Sequence, residues 1–235
     1  YQGIRKSAVA SLFTFISTLH ALCDSPAWVP GDTNGVQLDP NVEKIAQVIM
    51  PAIMETWEAE DDRTAAIEIC QSFASCLNKC GPGLISPQWI EPTCQLTMQI
   101  LEKKAPSQID PEADEDEETE DSSEYESVLI SAAMDLVGAM AYVLCDSFMT
   151  PMRQFLPLLC KYYSPGRSVT DRATAIGSLG EITVNMKRAI TPFTQDILAI
   201  LSHAVGDEDA SVRSNAAFAA GVLIEHSDSD LSQHY

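Results

Sequence analysis

Apolar residues recur along this chain at spacings of three and four, the period of one face of an α-helix. The stretch 207–225 sets the pattern. A short acidic turn leads into a helix with Val212, Ala216, Ala219 and Leu223 on one stripe. Asp207 and Asp209 stand at its start, where unpaired backbone N–H groups favour negative charge. The same period predicts helices over 4–22, 41–57, 62–79, 86–104, 124–146, 148–163, 169–188, 192–205 and 210–226. Residues 24–40, rich in Pro and Gly, read as a long loop. Gly81-Pro82-Gly83 stops one helix, and Ser86-Pro87 starts the next as cap and first turn. No segment alternates with period two, so an all-α fold is expected.

The helices come in pairs. An acidic or polar turn precedes an Arg and small apolar residues at 61–67, 170–176 and 210–218, and 4–9 fits the same frame. Arg172 and Arg213 are 41 residues apart, and the longer gaps from Arg5 to Arg63 and Arg63 to Arg172 accommodate insertions. Pro51, Pro92 and Pro157 each fall inside the first helix of a pair, where proline removes a donor and bends the helix. A period near 40 with two helices per unit is the signature of a HEAT-repeat, right-handed α-solenoid. The predicted layout is a half repeat at 4–23 and repeats at about 41–80, 87–146 (with an acidic insertion at 105–123), 148–188 and 192–226, some four and a half in all. The arginines are expected to bridge to acids in neighbouring turns, while apolar stacking dominates the stability.

Composition narrows the function. The net charge of −20 disfavours direct nucleic-acid binding and favours basic partners. No apolar run reaches the roughly 18 residues of a membrane span, so membrane insertion is not expected. The seven cysteines lack disulfide or zinc spacing, which points to buried free thiols in a reducing compartment. The opening residues carry no signal-peptide pattern and no initiator Met, which suggests a piece of a longer protein. No nucleophile–base pair, P-loop, HExxH or dinucleotide fingerprint is present, so neither an enzyme nor a bound cofactor is expected.

Two features are candidates for binding. From Asp110 to Glu126 there are eleven acidic residues and no basic one. Asp110, Glu112, Asp114, Glu115, Asp116, Glu117, Glu118, Glu120 and Asp121 form its body. It reads either as a solvated inter-helix loop or as an electrostatic lure for a Lys/Arg-rich partner, and the two are compatible. Ser122 and Ser123 within it could add charge if phosphorylated. The second feature is the outward side of the second helices. With Ile176, Leu179 and Thr183 inward on one helix and the 212–223 stripe inward on another, Ser178, Glu181, Asn185, Ser214, Asn215, Phe218 and Glu225 are left facing out or at the shoulder. In a HEAT solenoid such helices line the concave side. Carboxylates there would pair with lysines and Asn would bond a peptide backbone; the alternative is an ordinary solvated helix face.

The residues 171–182 (DRATAIGSLGEI), 211–227 (SVRSNAAFAAGVLIEHS) and 230–235 (DLSQHY) resemble the importin-beta (karyopherin-beta) nuclear transport receptors, nearest the importin subunit beta-four branch. The resemblance implies a superhelical receptor for histones and ribosomal proteins. Such a receptor binds basic localisation signals, passes the pore by contacts with Phe-Gly nucleoporins, and releases cargo when Ran-GTP binds. It implies shuttling between cytoplasm and nucleus. A HEAT scaffold of another assembly, such as a phosphatase or chromatin-associated solenoid, is the competing reading.

Overall fold

The computed structural model describes residues 2–23, 28–29, 38–109 and 120–231. Nine α-helices run through these residues, with no strand among them: α1 (Gln2–Leu22), α2 (Pro40–Glu58), α3 (Arg63–Cys80), α4 (Pro87–Leu101), α5 (Glu120–Leu144), α6 (Met149–Tyr162), α7 (Val169–Met186), α8 (Thr194–Ala204) and α9 (Ala210–His226). Short 3-10 turns at Pro82–Leu84, Pro106–Gln108, Cys145–Phe148 and Lys187–Phe193 join or extend them. The helices divide into two compact units, Tyr1–Val143 and Leu144–Tyr235.

In the first unit, α1 lies along α3, and α2 packs against both α1 and α4. Phe13 of α1 stacks on Phe73 of α3 with ring centroids 5.1 Å apart, and Trp57 of α2 meets Phe73 edge-on at 6.4 Å. Three aromatic rings from three helices thus close one layer onto the next; such pairs add about 0.5–1.5 kcal/mol each beyond the area they bury. Gly81 ends α3 with φ +72°, and Trp28 rests on it: a Cβ there would stand 2.8 Å from Trp28 Cγ. The Trp28 ring meets Tyr142 of α5 edge-on at 4.9 Å. Glycine is therefore required twice at this position, for the left-handed turn and for the ring.

In the second unit, α7 and α9 make the longest helix–helix contact, with α6 packed on α7 and α8 on α9. Ile176, Leu179 and Thr183 of α7 and Val212, Ala216, Ala219 and Leu223 of α9 are all buried, as the stripe predicts. Small residues permit the close approach. A Cβ on Gly180 would lie 2.9 Å from the Phe218 ring and 3.3 Å from Ala219 Cβ. Helix packed on helix within each unit, with no strand among the described residues, makes this a HEAT-repeat α-solenoid.

Several boundaries differ from the sequence-based expectation. The polar stretch 105–123 is structured at both ends: Ala105 and Ser107 are buried, and α5 already begins at Glu120. Acidic residues at a helix start are favoured by the macrodipole, so a run that reads as loop propagates α5 towards its N-terminus. Helix α4 ends at Leu101, and Lys103 adopts φ +58° just beyond. The stretch Glu124–Tyr162 is long and apolar enough, by length and composition, to cross a membrane, which corrects the reading that no segment qualifies. Isolated polar residues interrupt the run without lowering its average, and its most apolar window is 67% buried inside the protein. Pro51, Pro92 and Pro157 lie inside α2, α4 and α6, as expected.

Candidate functional site

The turns before α3 and α9 each carry an ordered network of charges. In the first unit the turn before α3 is Glu60-Asp61-Asp62. Asp62 caps α3 by accepting the Ala65 N–H at 2.8 Å, and Glu60 accepts the Asp62 N–H at 3.0 Å. In the second unit the turn before α9 repeats the device. Asp209 accepts the N–H groups of Ser211 and Val212, and Asp207 accepts that of Asp209 at 2.9 Å. One acid holds the cap, and the acid two residues earlier holds the turn and faces the preceding layer.

An arginine of the preceding layer reaches that acid. Arg5 of α1 donates Nε and Nη2 to the two oxygens of Glu60 at 3.1 and 2.7 Å, and Nη2 also reaches Asp61 at 2.7 Å. Arg172 of α7 donates Nε and Nη2 to the two oxygens of Asp207 at 3.1 and 3.2 Å, and Nη2 reaches Glu208. Arg63 of α3 meets the turn that follows it at the Ser107 carbonyl, 3.1 Å away. Arg213 of α9 donates instead to its own turn, at the carbonyls of Asp207 and Glu208. The expected bridges between neighbouring turns are therefore present at Arg5 and Arg172, and both are two-pronged.

This environment orders the charges. Asp207 is held below the ordinary carboxylate range by the Asp209 backbone N–H and then by Arg172, while Arg172 is raised by its hydrogen bond to Asp207. Asp209 is lowered by the Val212 and Ser211 N–H groups. The Tyr163 hydroxyl, which donates to Asp207, is raised by burial and by that carboxylate. Tyr163, Pro165, Arg172, Ile200, His203 and Glu208 line an open cavity of about 680 Å³ over this turn.

The seven residues predicted for the outward face all lie on α7 and α9. Glu181, Ser214 and Glu225 are exposed, and Phe218 is 49% exposed. Ser178 is buried, which corrects its assignment to the outward face. Helix α7 packs against both α6 and α9, and its buried residues extend beyond one stripe to include Ser178. Asn185 is half-buried. Asn215 donates Nδ2 to the Ala173 carbonyl of α7 at 2.8 Å and stands over Gly177, so its amide N–H ties two helices together. Of the acidic segment, residues 110–118 lie outside the described residues. Glu120 and Asp121 open α5, and their side chains lie outside the described set as well.

The sequence signal for the turn network is an acid two residues before a capping Asp, as in Glu60-Asp61-Asp62 and Asp207-Glu208-Asp209. Spacing alone does not show which arginine meets which acid. Among the described residues no group of three or more His, Cys, Asp or Glu is arranged to hold a metal.

No family model matches the chain. Individual relatives do. It is 34% identical to the probable importin subunit beta-4 of Schizosaccharomyces pombe, over 100% of this chain and 23% of that protein. It is 28% identical to importin-4 of Homo sapiens over 99% of this chain and 21% of that protein, and 27% identical to importin-4 of Mus musculus over 100% and 21%. The chain thus spans less than a quarter of the length of these relatives. With similarity running from end to end and the stacked helix pairs already described, the chain belongs to the importin-beta family, in its beta-4 branch.

Proposed function

We propose that this chain is a repeat segment of a nuclear import receptor that shuttles between cytoplasm and nucleus. The carrying observation is the end-to-end similarity to importin subunit beta-4 and importin-4. In this reading the segment takes part in binding basic localisation signals, of histones and ribosomal proteins in particular. Ran-GTP releases the cargo, and Phe-Gly nucleoporins carry the receptor through the pore. The role is one of binding, with no bond made or broken.

The net charge of −20 supports a cationic guest. Glu181 and Glu225 are the exposed carboxylates of the proposed cargo face, with Asn185, Ser214 and Phe218 beside them. Asn215 contributes chiefly to packing, and Ser178 is not part of that face. The acidic stretch 110–121 adds long-range attraction over about 8 Å at physiological salt. The repeats that accompany this reading are about 41–80, 87–146, 148–188 and 192–226, after a half repeat at 4–23.

The test is a titration of a Lys-rich histone-tail peptide into the full receptor at 50 and 200 mM salt, with and without Ran-GTP. Glu181→Gln and Glu225→Gln together should weaken binding several-fold at low salt and less at high salt. No binding to any basic peptide at low salt would overturn the reading. Cargo binding indifferent to Ran-GTP would move the segment to a HEAT scaffold of another kind.

A further inference from the structure

Cys76 and Cys80 sit one turn apart on α3, with their sulfurs 3.8 Å apart and both side chains buried. Cys76 Sγ also lies 3.6 Å from the Phe13 carbonyl oxygen of α1. Cys76 forms part of the wall of an open cavity of about 200 Å³ between α1 and α3, with Phe13, Ser17, Glu68 and Lys79 around it. Cys76 thus lines the cavity and Cys80 lies buried directly behind it, so the two form a dithiol, unlike Cys70 and Cys94, which are buried singly.

The helix decides which chemistry such a pair can undergo. A disulfide needs Cβ atoms about 3.5–4.5 Å apart and a sulfur separation near 2.05 Å. Residues four apart on a helix hold their Cβ atoms about 5–6 Å apart. Closing an S–S bond would break the turn. A single bridging atom needs far less movement: two metal–sulfur bonds of about 2.3 Å at a tetrahedral angle span about 3.8 Å. A zinc ion would want four ligands, and among the described residues no third His, Cys, Asp or Glu joins the pair. The remaining class is a thiophilic centre satisfied by two sulfurs.

We propose that Cys76 and Cys80 form a chelating dithiol site for a trivalent organoarsenical, taken between the two sulfurs from the α1–α3 cavity. The contact between the two sulfurs supports it, since a shared proton lets one thiol of the pair ionise more readily than an isolated buried one. Cys76, which lines the cavity, meets the reagent first. The step is a condensation: an arsenic(III) oxide of form R–As=O gains two As–S bonds, both S–H bonds break, and the oxygen leaves as water with the two protons. Arsenic stays trivalent, and no oxidant is required.

The experiment treats the folded 235-residue chain with phenylarsine oxide, quenches with excess 2-mercaptoethanol to strip single-thiol adducts, and reads intact mass. One adduct per chain should survive, be removed by a competing dithiol, and map by peptide mass spectrometry to 76 and 80. Cys76→Ser and Cys80→Ser should each lose the adduct, while Cys70→Ala keeps it. The peptide map of the unsubstituted chain stands whether or not a variant folds. An adduct mapped elsewhere, or one that forms only after denaturation, would overturn the proposal. So would its survival in a folded Cys76→Ser variant.

Discussion

Arg172 grips Asp207 with two parallel hydrogen bonds, and Arg5 grips Glu60 in the same way in the other unit. Asp207 and Glu60 each stand two residues before a helix cap, so each arginine fixes the entry of a helix two elements further on. Unlike an isolated surface pair, which contributes little, this one has its acid already ordered by the turn. Removing it disturbs a cap as well as an ion pair.

The pH dependence follows from the lowered Asp207. A carboxylate whose folded value lies below its unfolded value, about 3.9, contributes stability that is present above that pH. The contribution is lost as pH falls through the folded value. Asp209 shifts in the same direction. Thermal melts between pH 7 and pH 3 should therefore show a smaller fall for Asp207→Asn than for the unsubstituted chain, with Asp207→Asn the less stable at pH 7. Parallel curves would refute the assignment.

Gly180 and Phe218 form a second testable pair. A valine at 180 places its Cβ inside the Phe218 contact and against Ala219, an overpacking that costs about 1–3 kcal/mol. Phe218 is half exposed and can be truncated at little cost to the core. A double-mutant cycle in urea should show Gly180→Val partly rescued by Phe218→Ala. Additive effects would mean that the ring is not the obstacle.

Lys187 ends α7 with φ +50° and ψ −130°, a region that suits glycine, and its side chain is exposed. Lys187→Gly should raise stability by about 1 kcal/mol by relieving that conformation. Chemical denaturation at pH 7 reads the sign directly. A loss would indicate that the lysine side chain makes a compensating contact.

Burial pushes Cys70 and Cys94 up to about 12 and Cys160 up to about 11. At pH 8 only about one Cys70 thiol in ten thousand is ionised. Iodoacetamide should modify half-exposed Cys23 and Cys145 first, and Cys70 and Cys94 only after unfolding. Mass spectrometry of timed digests resolves the order.

The helices were legible because period and punctuation agree: Gly81 stops α3 where expected, and Pro51, Pro92 and Pro157 fall in the first helix of three of the pairs. The arginine bridges were legible as a class, since acid-rich turns recur ahead of helices that carry an Arg. The start of α5 was not. Glu120 and Asp121 have the composition of a loop, and only their position at a helix start makes them helical. Ser178 misled for another reason: one stripe marks a helix packed against one neighbour, and α7 packs against two. Asn215 looks from spacing like a residue for a guest, while its amide spans to Ala173. Helical period reports direction, not what a neighbouring helix presents there.

The prolines inside α2, α4 and α6 deprive the carbonyls of Gln47, Gln88 and Arg153, four residues earlier, of their usual helical donor. All three of these residues are exposed, so water can take the missing donor's place. Each such helix lacks one rung within its length. Bending is therefore easier at these three points than along α3, α5 and α7, whose hydrogen-bond ladders no proline interrupts.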